Sequence, residues 1–63
     1  MKEMATLLAK FWDISYEEAY ENLAEDFTAT KRAVLGEYCS DRDSYTRAQR
    51  ELGEKLLQLM ADR

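Results

Sequence analysis

The apolar positions of the chain recur at helical spacing, and the clearest run lies in residues 15–38. Steps of three and four residues separate the large apolar side chains, with one missing step at Thr30 or Lys31, which places them along one stripe of an α-helix. They are Tyr16, Tyr20, Leu23, Phe27, Val34 and Tyr38. The stripe resumes in phase after residues 28–30, and Gly36 can end the helix in a left-handed conformation. We therefore predict one helix over residues 16–35, and a break near Thr28 that gives four short helices is the alternative.

Two further helices are predicted on either side of this one. Residues 2–12 carry apolar side chains at amphipathic spacing, namely Met4, Leu7, Leu8, Phe11 and Trp12. Ser15 and Glu18 form an S-x-x-E capping box that begins the long helix. The polar residues 40–44 predict a turn, followed by a last helix over residues 43–61.

Two long helices joined by a short turn lie antiparallel, because the turn cannot carry the chain back to the far end. The sequence thus predicts an all-α fold, in which residues 16–35 and 43–61 form an antiparallel helical hairpin. The helix over residues 2–12 packs on this hairpin, and residues 1–63 form a single small helical domain.

The end of the last helix is apolar around most of its circumference, which predicts contacts on two sides. One contact is to the long helix, and the other is to the first helix or to a second chain. The candidate apolar interface comprises Trp12, Gly53, Leu57 and Met60. Because glycine inside a helix costs about 1 kcal/mol relative to alanine, Gly53 is either tolerated or marks a close approach. A helix backbone or a large ring such as Trp12 would make that approach.

The length of 63 residues limits how much core the chain can build alone. A domain this small buries only about 60% of the surface that its unfolded chain exposes. With one cysteine, Cys39, and no histidine, no intramolecular disulfide and no zinc or iron site is expected. We therefore expect no metal and no cofactor, and we predict that dimerisation completes the bundle.

Charge adds one distinctive feature to a chain with a formal net charge of −4. Residues 15–29 contain five acidic residues and no basic residue, and they form the candidate acidic partner surface: Glu17, Glu18, Glu21, Glu25 and Asp26. This surface is either a solvated helix face or a docking surface for a basic partner. The four tyrosines leave a similar choice open, because tyrosine suits both a half-buried core boundary and an interface.

These features favour some functional classes over others. The chain has no histidine, and no serine or cysteine has an evident general base. We therefore expect no catalytic residues and no enzymatic activity. The negative charge argues against direct nucleic-acid binding, and the apolar runs are too short to span a membrane. We expect a cytoplasmic, non-enzymatic adaptor, inhibitor or regulator that binds itself and another protein, which could be basic. The alternatives are an acidic nucleic-acid mimic and a structural subunit of a larger assembly.

Overall fold

A computed structural model describes residues 1–62, and within this part of the chain every regular element is helical. Helix α1 spans Lys2–Trp12, α2 spans Tyr16–Glu25, α3 spans Phe27–Asp41 and α4 spans Arg47–Ala61. A short 3-10 helix, Arg42–Ser44, lies between α3 and α4. The predicted all-α class is therefore confirmed for the described residues.

The first connection, residues 13–15, ends α1 and starts α2 by two local devices. Asp13 adopts the left-handed conformation with φ 56° and ψ 49°, which aspartate tolerates better than most residues with a side chain. The backbone N–H of Ile14 then donates to the carbonyl oxygen of Ala9 at 2.9 Å. The Ser15 hydroxyl accepts from the backbone N–H of Glu18 at 3.1 Å, which confirms the predicted cap.

The prediction of one continuous helix over residues 16–35 is wrong, because the chain breaks at Asp26. Asp26 has φ −152° and ψ 88°, and its carboxylate accepts from the backbone N–H of Ala29 at 3.0 Å. The hydroxyl of the buried Thr30 lies 2.9 Å from the carbonyl oxygens of both Asn22 and Asp26. An N-cap and a threonine hydroxyl thus satisfy the backbone groups that the break exposes. The structure matches the four-helix alternative, with the break two residues before Thr28.

The prediction that Gly36 ends a helix is also wrong, since α3 continues through it to Asp41. No glycine in the described chain has a positive φ. Val34 and Tyr38 lie one turn apart on the buried side of α3, and this packing outweighs the low helix propensity of glycine. The last helix begins at Arg47 instead of residue 43, where the Thr46 hydroxyl accepts from the backbone N–H of Gln49 at 3.2 Å.

The four helices pack around one core, with α1 against both α2 and α4. Helix α3 packs against α4 and adjoins α2; an antiparallel direction of the α3–α4 pair stays a prediction. The buried hydrophobic residues come from all four helices: Met4, Ala5, Leu8, Phe11, Ala19, Leu23, Val34, Tyr38, Leu56 and Met60. This arrangement leaves the outer side of α2 facing solvent.

Gly53 lies in a closely packed part of the core. A Cβ atom at this position would lie 2.7 Å from Cδ2 of Tyr38 and 2.8 Å from Cε1 of Phe11. Of the two interpretations of Gly53, the structure supports the close approach, and the nearest rings are those of Tyr38 and Phe11 instead of Trp12. Phe11 also makes an edge-to-face contact with Tyr45, with ring centroids 5.7 Å apart.

Candidate functional site

Helix α2 buries a smaller face than its apolar stripe predicted. Its buried side chains are Ala19 and Leu23, whereas Tyr16 and Tyr20 are 41% and 42% exposed. Helix α1 packs against α2, and the small Ala19 of α2 is fully buried. A small side chain lets two helices approach closely. Tyr16 and Tyr20 therefore continue the apolar stripe of the sequence but do not belong to the buried core.

The exposed rings form a pair beside two carboxylates. The ring centroids of Tyr16 and Tyr20 lie 6.1 Å apart, and the ring planes are inclined by 34°. Together with Glu17 and Glu21, they line one open depression on the outer side of α2. We call these four residues the tyrosine–glutamate face. Tyrosine combines a large apolar ring with a polar hydroxyl, which makes such a pair suited to contact with another molecule.

All five residues of the predicted acidic surface are exposed. Within residues 1–62, only Arg47 and Glu51 of α4 form an ion pair, at 3.4 Å, so none of the five acidic residues is neutralised in this way. Asp26 differs from the others because its carboxylate caps α3. It therefore has a structural role that does not depend on any partner.

The helix itself explains only part of this acidic surface. Glu17 and Glu18 lie in the first turn of α2, where the helix dipole favours negative charge. Glu21 and Glu25 have no such explanation, and like charges four residues apart destabilise a helix by about 0.2–0.5 kcal/mol for each pair. Glu21 therefore adds uncompensated negative charge directly beside the tyrosine pair.

The structure does not bring the four residues of the predicted apolar interface together on a surface. Gly53 and Met60 are buried within the core of the chain itself. Trp12 and Leu57 are half-buried and pack against this core. The indole N–H of Trp12 donates to the Glu37 carboxylate at 2.7 Å, which links α1 to α3.

Two large apolar side chains outside α2 are also exposed: Met1 precedes α1, and Leu35 on α3 is 47% exposed. Sequence reasoning missed Leu35 as a surface residue because it was taken as the end of the long helix. Its position one residue after the buried Val34 was the available signal, since consecutive residues of a helix point about 100° apart.

Two other tyrosines lie in a different environment from the exposed pair. Burial, followed by the nearby Glu54 carboxylate, raises the pKa of Tyr38 above its ordinary value of 10.0. Burial and then the charge of Glu37 raise the pKa of Tyr45 in the same direction. These two phenols belong to the α3–α4 side of the core, and they stay protonated at neutral pH.

Other kinds of site find little support in the described part of the chain. No group of three or more His, Cys, Asp or Glu side chains is placed to hold a metal ion there. Cys39 is a free, exposed thiol. No helix in residues 1–62 is both long enough and apolar enough to cross a membrane. Comparison of the chain with protein-family models, curated proteins and solved structures found no match.

Proposed function

We propose that the chain is a small non-enzymatic protein-binding module, an adaptor, inhibitor or regulator, that acts through the outer side of α2. The observation that carries this proposal is the pair of exposed tyrosine rings beside glutamates that have no ion-pair partner among residues 1–62. Tyrosine is enriched in protein interfaces, since its rigid ring supplies a large contact area at a low cost in side-chain entropy.

The charge of the face specifies the kind of partner. Carboxylates repel the phosphates of nucleic acids and attract lysine and arginine side chains. The negative net charge of the whole chain acts in the same direction and accelerates encounter with a basic protein. A basic protein surface is therefore the partner that this face fits.

A second candidate function follows from the regular spacing of the glutamates. Glu17, Glu21 and Glu25 recur every four residues along α2 and form a row of negative charges. Such a row can imitate a phosphate backbone and block a nucleic-acid-binding protein. Both functions need the same charges, and the identity of the captured partner distinguishes them.

Self-association is a separate part of the proposal. The exposed Leu35, with a chain too short for a large core, supports a homodimer. The candidate interface is then on α3 and does not include the buried Gly53 and Met60. A cytoplasmic setting suits the unpaired, exposed Cys39, because reducing compartments keep thiols free.

The test is capture of a partner from lysate with matched charge-reversed variants. One variant carries Glu21→Lys and Glu25→Lys. Its control carries Asp41→Lys at the end of α3 and Asp43→Lys in the 3-10 helix that follows. Both variants change the net charge by the same amount at exposed positions, so a general charge effect would change both. Circular dichroism checks that each variant keeps its helical structure.

We expect the first variant to lose a partner that the wild type and the control retain. Capture that survives reversal at Glu21 and Glu25 would refute the proposal. A captured protein that binds nucleic acid, and that nucleic acid displaces from the module, would favour the mimic over the general adaptor.

A further inference from the structure

The tyrosine–glutamate face consists of one unit that is repeated after a single helical turn. Tyr16 is followed by Glu17, and Tyr20 is followed by Glu21, so each ring has its own neighbouring carboxylate. The two rings are 6.1 Å apart, close to the rise of about 6 Å over four residues of an α-helix. The face thus presents two similar subsites at the spacing of one helical turn.

Resting on the proposed function, we infer that this face binds a partner helix that presents two arginine side chains four residues apart. Side chains four residues apart on a helix lie about 5–6 Å from each other. This spacing matches that of the two subsites on α2. A helix laid along α2 can therefore place one cation at each tyrosine–glutamate unit.

Arginine fits each unit better than lysine does. The planar guanidinium group can stack on an aromatic ring and also donate two hydrogen bonds to a carboxylate. The ammonium group of lysine is a compact, strongly hydrated charge that lacks this planar geometry. A face that offers only charge would bind both cations equally, whereas a face built from rings and carboxylates prefers arginine.

The sequence also argues that the occupant is a different chain. No two arginines within the described α-helices stand four residues apart, and the nearest pair, Arg47 and Arg50, is separated by three. Arg47 already pairs with Glu51, and Arg50 donates to the carbonyl oxygen of Arg42 at 3.3 Å. A second copy of this chain therefore lacks the required pattern.

The experiment measures binding of fluorescently labelled, alanine-based helical peptides by anisotropy at low and physiological salt. The first peptide carries two arginines four residues apart, the second carries lysines at the same positions, and the third carries arginines two residues apart. The third peptide has the same charge as the first, but its arginines point to different sides of the helix.

Two variants of the protein separate the unit from simple charge. Glu21→Gln removes a carboxylate that follows a tyrosine, whereas Glu25→Gln removes one that follows Ala24 on the same exposed side of α2. A third variant, Tyr20→Leu, removes one ring and keeps an apolar side chain. Since all three positions are exposed, the fold is expected to persist, and circular dichroism verifies it.

We expect the first peptide to bind most tightly and Glu21→Gln to weaken binding more than Glu25→Gln does. Tyr20→Leu should weaken it by about two- to five-fold, the range expected for one cation–π contact at an exposed site. Equal effects of the two glutamine variants, without a preference for arginine over lysine, would overturn the inference. These results would not refute the proposed binding of a basic protein. That proposal fails only if capture from lysate survives charge reversal at Glu21 and Glu25.

Two further outcomes would also count against the inference. In the first, none of the peptides binds although lysate capture still depends on Glu21 and Glu25. In the second, sedimentation shows a wild-type dimer that dissociates on Tyr20→Leu substitution, which would make a second copy the occupant.

Discussion

Replacing Gly53 with alanine tests the packing at the centre of the fold. The added methyl group would lie 2.7 Å from a ring carbon of Tyr38 and 2.8 Å from a ring carbon of Phe11. Both distances are well below van der Waals contact between carbon atoms, which is about 3.5–4.0 Å. Both rings are buried, at 8% and 5% exposure, so neither can move aside into solvent. The substitution must therefore displace α4 or at least one ring.

Two opposing terms set the size of the effect. Overpacking of a core costs about 1–3 kcal/mol, and two simultaneous ring contacts favour the upper part of this range. Alanine recovers about 1 kcal/mol because its helix propensity is better than that of glycine. The free energy of unfolding should thus fall by about 1–2 kcal/mol, which is large beside the 3–5 kcal/mol or so that a core of this size supplies.

The assay is urea and thermal unfolding followed by far-ultraviolet circular dichroism. For a domain of about this length, 1 kcal/mol corresponds to a change in Tm of roughly 4–8 °C. Gly36→Ala is the matched control, because its added methyl group would meet no atom within 4 Å. This control should be more stable than the wild type by about 0.5–1 kcal/mol.

The comparison between the two glycines decides the interpretation. If Gly53→Ala stabilises the protein as much as Gly36→Ala does, Gly53 is merely tolerated and the close ring packing is refuted. A Phe11→Leu substitution offers a second check, because it removes one of the two obstructing rings. In the double variant, Phe11→Leu should make room for the added methyl group. The Gly53→Ala substitution should then lower the free energy of unfolding by less than it does in the wild type.

Two further predictions concern the helix break and the buried phenols. Asp26→Ala removes the acceptor for the backbone N–H of Ala29 and should lower the free energy of unfolding by about 0.5–2 kcal/mol. Asp26→Asn should keep most of this stability, because asparagine is also a good N-cap. If urea unfolding shows that Asp26→Asn and Asp26→Ala lose the same free energy of unfolding, the capping role is contradicted. Because burial raises the pKa of Tyr38 and Tyr45 in the folded state, the unfolded chain loses these protons first as the pH rises above about 10. The urea midpoint should therefore fall between pH 9 and pH 11, by less in Tyr38→Phe, and a pH-independent midpoint would exclude this linkage.

Sequence periodicity predicted the helical class, the first helix and its connection correctly. The capping box at Ser15 was readable because serine and glutamate stand at the spacing that the motif requires. The break at Asp26 was predicted only as the alternative and was placed near Thr28, because no glycine or proline marks it. The backbone conformation of Asp26 does not require glycine, and its side chain acts as the N-cap of α3.

The placement of the tyrosines shows why large apolar side chains can mislead. Tyr16 and Tyr20 continue the periodic stripe, yet it is the smaller Ala19 that is fully buried. Periodicity predicts which side of a helix is apolar. Which residues of that side are fully buried depends on how closely the neighbouring helices pack. The structure exposes the five acidic residues, and only the structure places exposed rings beside two of them, Glu17 and Glu21.

The contact of α1 with α4 has a consequence for the order of folding. Helices α1 and α2 are separated only by residues 13–15, so they can dock as soon as both have formed. Helix α4 reaches α1 only after residues 13–46 close into a loop, whose entropy cost must be met before the core contacts form. Docking of α4 is therefore the step that should govern the folding rate. Substitutions at Leu56 or Met60, which α4 buries in the core, should then slow folding.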